Sequence, residues 1–98
     1  MSMGMFRKFQ QKMEVIQEEL KQMTVEGTSG GGAITVVATG DQRIETITID
    51  PSAIDPDDAD LLADMLTLAV NDALEQSQEL AKNKLGSVTG GLNIPGLS

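Results

Sequence analysis

Apolar residues recur at Phe6, Phe9, Met13, Ile16, Leu20 and Met23, in steps of 3, 4, 3, 4 and 3. That spacing returns to one narrow stripe of a helix, the seam that faces a partner helix. Between them stand Gln10, Gln11, Glu14, Gln17, Glu18, Lys21 and Gln22, polar residues that favour helix. A first helix is therefore predicted from about Met5 to about Met23. The pattern then changes. Thr24 to Thr28 reads as a short strand, the run Gly30-Gly31-Gly32 follows, and Ala33 to Thr39, rich in Ile, Val and Thr, predicts a second strand. A third is predicted from Arg43 to Asp50, reached through a tight turn at Gly40-Asp41 and ended by Pro51, which has no N–H for a ladder.

A second helix is predicted to open near Asp55-Pro56-Asp57-Asp58. Asp55 can cap, Pro56 suits the first helical position, and acids suit the positive end of the helix dipole. Gly86 is expected to stop it after Leu85. Its apolar positions, among them Leu61, Leu62, Leu66, Val70, Leu74 and Leu80, cover more than the one face a surface helix needs. The second helix would be roughly 45 Å long, whereas a seven-residue strand spans roughly 23 Å. It must overhang its own sheet, and helix 1 together with a second copy of the chain would cover the excess. A homodimer is predicted, with Phe6, Phe9, Met13, Ile16, Leu20, Met23, Leu66, Val70 and Leu74 in dimer or helix packing.

The chain has 98 residues, enough for one domain, here residues 1–85, with a flexible Gly-rich tail over 86–98. It holds neither Cys nor His, and aromatics are 2% of it. Disulfides, imidazole bases and the usual zinc ligands are thereby excluded. No catalytic residue, cofactor, metal or small-molecule substrate is expected. The acids Asp55, Asp57, Asp58 and Asp60 fail the calcium-loop pattern, with Ala59 at the fifth position, Asp60 where Gly is needed and Leu66 at the twelfth; helix capping is their expected role. The Gly30–Gly32 run precedes a strand and so makes a poor phosphate cradle, pointing to backbone freedom or close approach of chains. Met1 to Gln11 lacks the apolar run of a signal peptide and no segment suits a membrane span, so a cytoplasmic protein is expected.

Net charge is −8, unfavourable for a polyanionic partner, but its distribution matters more. Met1 to Met23 carries four cations against three acids, and Lys82 to Ser98 two cations and no acid; Asp55 to Ala81 carries eight acids and no cation. Acid is central and base lies towards the ends.

The heptad helix, VEGTSGGGAITV from Val25 to Val36, IDP at Ile49 to Pro51, DPDD at Asp55 to Asp58, VNDA at Val70 to Ala73 and VTGGLNIPGL from Val88 to Leu97 together resemble the YbaB/EbfC family over nearly the whole chain. The resemblance implies an α+β fold of order α-β-β-β-α with an antiparallel three-stranded sheet. It further implies a tweezer-like homodimer with helices as arms, and a nucleoid-associated protein that binds double-stranded DNA. The chain departs from the family in the small number of Lys and Arg on helix 1.

Arg7, Lys8 and Lys12 stand at the positive end of helix 1, where cations are mildly disfavoured, and none has an acid three or four residues onward. Folding alone does not account for them. Lys82 and Lys84 stand at the favourable end of helix 2, with Glu79 in reach of Lys82. If the two helices run side by side, these five cations share one distal tip. Each dimer then carries two basic tips on an acidic body, suited to gripping a duplex through its phosphates. No cluster suits base reading, so an effect on nucleoid organisation and gene expression would come with weak sequence preference. Two alternatives stand beside this reading: a protein-interaction or scaffold dimer with little DNA affinity, and an amphipathic first helix for a protein or an anionic membrane, of which the regular seam favours the helix partner.

Overall fold

A computed structural model describes residues 3–89. The order is α1 (Met3–Gln22), β1 (Thr24–Ser29), β2 (Ile34–Thr39), β3 (Ile44–Ile49) and α2 (Ala59–Thr89), an α-β-β-β-α arrangement. The strands form one antiparallel sheet in the order β1-β2-β3. α1 and the strands thus lie within two residues of their predicted bounds.

The ends of α2 differ from the expectation. Pro56–Asp58 form a separate 3-10 turn, capped by Asp55, whose carboxylate accepts the Asp57 N–H at 2.9 Å. Asp58 in turn accepts the Leu61 N–H at 3.3 Å, so the acids act as caps in succession. At the other end Gly86 does not stop the helix, which runs on to Thr89. A helical glycine costs only about 1 kcal/mol, and Ser87 Oγ donates to the Lys84 carbonyl at 2.6 Å across this turn. The helix therefore enters the segment expected as tail, and the rest of that segment, 90–98, lies outside the described residues.

The core lies between one face of the sheet and α2. Ile34, Val36 and Ala38 of β2 and Ala69 and Ala73 of α2 are fully buried. Small residues on α2 let the backbones come close. At Gly27 of β1 an added Cβ would collide with the Ala69 carbonyl and the Ala73 amide, which is why strand and helix meet at a residue without a side chain. The glycine run has a different reason: Gly30, Gly31 and Gly32 have φ of 62, 67 and 94°, a conformation costly for residues with a Cβ. The opposite face of the sheet shows Thr24, Glu26, Thr28, Thr46 and Thr48 to solvent, the polar side of a one-sided sheet.

Two polar ties fix the helices. Ser77, fully buried, donates to the Thr39 carbonyl at 2.6 Å and accepts the Gln42 N–H at 3.1 Å, holding α2 to the β2–β3 turn. Gly40 N–H is shared between the Leu20 and Met23 carbonyls at 2.9 Å each, anchoring the last turn of α1 to the end of β2. From that anchor α1 leaves the sheet, and the molecule measures 63 × 26 × 16 Å.

Candidate nucleic-acid interface

The packing of α1 against α2 sets where each cation lies. Ile16 and Leu20 are buried, and Lys84 Nζ meets Glu19 Oε2 at 3.3 Å. The helices therefore run antiparallel, with Lys84 beside the sheet-proximal part of α1. The described part of α2 ends five residues later, while α1 continues outward. Every residue from Met3 to Lys12 is exposed.

Arg7, Lys8 and Lys12 stand on this outer stretch, which holds no acidic residue; the first acid along the chain is Glu14. Among the described residues the ion pairs are Lys21–Glu18 at 3.6 Å and Lys84–Glu19, so these three charges are unpaired there. Lys8 and Lys12, one helical turn apart, line one shallow depression with Gln11, Val15 and Ile16. Arg7 lies about 100° from Lys8 around the helix. The stretch thus offers positive charge on more than one side.

The five cations do not share one tip. Counting along α1 from Glu19, Lys12 and Arg7 stand roughly 10 and 18 Å farther out than Lys84. Lys82 is exposed and the Lys82–Glu79 pair suggested by spacing is not among the ion pairs of the described residues. Arg7, Lys8 and Lys12 form an outer group; Lys82 and Lys84 lie nearer the sheet on the same arm.

The seam residues divide similarly. Ile16 and Leu20 are buried and Met13 and Met23 partly so, whereas Phe6 and Phe9 are 49% and 42% exposed and line a depression with Gln10, Met13, Glu14 and Gln17. Leu66, Val70 and Leu74 of α2 are partly buried, the first two against the core. Lys21 and Arg43 were missed by the sequence reading. The fold gathers them at the β2–β3 turn with Thr39, Asp41, Ile44 and Glu45. The hydrogen bonds of Gly40 to the Leu20 and Met23 carbonyls, remote in sequence, bring the end of α1 there.

No group of three or more acids among the described residues is placed to hold a metal ion, and no helix there is long and apolar enough to cross a membrane. What remains is an elongated arm whose outer end is cationic and whose base is joined to an acidic body.

Known proteins resemble this chain over most of its length. The model of the YbaB/EbfC DNA-binding family matches residues 1–92. The chain belongs to this family. Among its relatives, a nucleoid-associated protein of Desulforamulus reducens is 57% identical over 95 residues, covering 97% of this chain and 90% of that one. A nucleoid-associated protein of Acetivibrio thermocellus is 51% identical over 93% of this chain and 81% of its own length. A similar fold is seen in the crystal structure of an uncharacterized protein of Helicobacter pylori. It superposes with a TM-score of 0.80 over 92% of this chain and 99% of that one, at 23% identity; this likeness concerns fold alone.

Proposed function

We propose that this member of the YbaB/EbfC family is a non-enzymatic nucleoid-associated protein that binds duplex DNA as a homodimer, acting in the cytoplasm on nucleoid organisation and gene expression. The observation that carries the proposal is the outer stretch of α1: three cations outside the ion pairs of the described residues, no acid, and every residue exposed. Phosphates are the group such a stretch suits, since Lys and Arg contribute affinity without reading sequence. Arg7, Lys8 and Lys12 make the primary contacts. Lys82 adds to them farther in, and Lys84 does so only by exchanging Glu19 for phosphate.

The homodimer is supported by what a single chain leaves uncovered. An isolated helix of about ten residues is marginal in water, yet the outer half of α1 has no cover among the described residues and exposes Phe6 and Phe9. A helix from a second copy fits the spacing of that seam.

The test is a mobility-shift titration of duplex DNA with the triple variant Arg7→Glu, Lys8→Glu, Lys12→Glu. Binding is expected to be lost while the dimer persists in sedimentation; a variant that shifts DNA as the parent does would remove the three cations from the interface. The net charge of −8 favours a second reading, a scaffold dimer for other proteins. That reading gains if the parent protein itself shifts no duplex at low salt.

A further inference from the structure

The seam of α1 is buried in its inner part and bare in its outer part. Ile16 and Leu20 are buried and Met13 partly so, whereas Phe6 and Phe9 stand in solvent. A second apolar strip lies open on α2, where Leu61 is 52% and Leu68 63% exposed. At 100° per residue both fall within about 40° of Asp72, whose carboxylate accepts the Thr28 N–H at 3.1 Å. The strip therefore lies on the flank of α2 towards β1, with partly buried Met65 between the two leucines.

The two strips match in spacing and oppose each other in charge. Phe6, Phe9 and Met13 follow in steps of 3 and 4, and Leu68, Met65 and Leu61, read backwards along the chain, do the same. Two helices running antiparallel can therefore lay one strip on the other over two turns, about 10 Å. Beside the α1 strip stand Arg7, Lys8 and Lys12, with no acid before Glu14. Beside the α2 strip stand Asp60, Asp64, Asp72 and Glu75, and α2 has no cation before Lys82. With Phe6 set against Leu68, Lys12 comes level with Leu62, between Asp60 and Asp64 along the axis.

We infer that the outer α1 seam of one dimer docks on the Leu61–Leu68 flank of α2 in a neighbouring dimer; the inference rests on the reading above in which a helix from another copy covers that seam, and it names the helix. Charge selects this pairing. Seam against seam would set cation to cation and flank against flank acid to acid, whereas seam against flank joins opposite signs around an apolar centre. A chain cannot make the contact with itself. From the Lys84–Glu19 pair the α1 seam runs outward, while Leu68 lies about 24 Å back along α2 in the other direction. Because the contact joins unlike surfaces, it does not close on one pair and extends from dimer to dimer. The cations it covers are those assigned to phosphate, so duplex DNA and a neighbouring dimer compete for the arm.

Sedimentation velocity of the full chain at about 10 and about 300 mM salt, where screening differs strongly, tests this with the charge-neutral variant Leu61→Ser, Leu68→Ser. The parent is expected to form species heavier than a dimer at low salt and to return to dimers at high salt. The variant is expected to stay dimeric at both, its further association weakened about tenfold or more. Association of the variant equal to the parent's would overturn the docking, as would a parent that stays dimeric at low salt. A parent monomeric at both salts would overturn the dimeric reading with it. Should the double serine variant not fold, a charge exchange decides. Arg7→Glu, Lys8→Glu, Lys12→Glu and Asp60→Lys, Asp64→Lys, Glu75→Lys are each expected to stay dimeric alone and to associate when mixed; a mixture that stays dimeric would refute the contact. Short duplex DNA added to the parent at low salt is expected to return it to dimers carrying DNA, and assemblies that keep their size would overturn the shared use of these cations.

Discussion

Gly27 shows how much of this fold hangs on one missing side chain. The Ala69 carbonyl and the Ala73 amide already occupy the space of a Cβ, and both are backbone atoms, unable to rotate away. A larger residue must therefore part β1 from α2 across the buried cluster of Ile34, Val36, Ala69 and Ala73. Gly27→Val is expected to destabilise by about 3 kcal/mol or more, read as a lower urea midpoint; a midpoint equal to the parent's would show that the strand and helix are not in close contact. Asp50 has an effect of the opposite kind, small and dependent on pH. Its carboxylate accepts the Ser52 N–H at 3.0 Å and the Ser52 hydroxyl at 2.9 Å, and these bonds hold its pKa below the ordinary 3.8. Because the folded value is the lower one, the contribution is present above the unfolded pKa and fades as pH falls through the folded pKa. The stability difference between the parent and Asp50→Ala should thus be constant near neutral pH and shrink on acidification below about pH 4. Urea titrations across that range measure it, and a difference that grew on acidification would contradict the assigned shift.

At the scale of the element, what could be read from sequence was what local periodicity controls. The steps of three and four from Phe6 to Met23 gave α1, and the Ile, Val and Thr content with turn residues at Gly40-Asp41 gave β2 and β3 to within a residue or two. The end of α2 could not be read this way, because Gly86 is a stop signal only if the next residues leave the helix, and here the helix continues to Thr89. The candidate site was legible in part. Arg7, Lys8 and Lys12 stood out for their unfavourable place at a helix start, a local property. Their separation from Lys84 was not legible, since it depends on the register between α1 and α2, which the Ile16 and Leu20 packing and the Glu19 contact determine.

Across the whole molecule, charge is sorted along its length. The outer part of α1 is cationic, while Asp55 to Ala81 carries eight acids and no cation. A polyanion approaching the body meets repulsion and approaching the arms meets attraction, so the arms decide both the path and the strength of binding. Each phosphate neutralised releases counterions, and the logarithm of the binding constant falls with the logarithm of salt by about 0.9 per contact. With Arg7, Lys8 and Lys12 engaged on both arms of a dimer the slope would be about −5, a loss of roughly a thousandfold between 50 and 200 mM salt. Lys84→Gln should leave that slope nearly unchanged, because Lys84 already has Glu19 as its counter-charge and must give up one partner to gain another. Lys8→Gln should make it less steep by about two, one contact on each arm. Titrations of one duplex at several salt concentrations for the parent and the two variants measure all three slopes. Equal changes for Lys84→Gln and Lys8→Gln would mean that DNA is held along the whole arm, and a parent slope near zero would mean that whatever the arms grip is not a phosphate backbone.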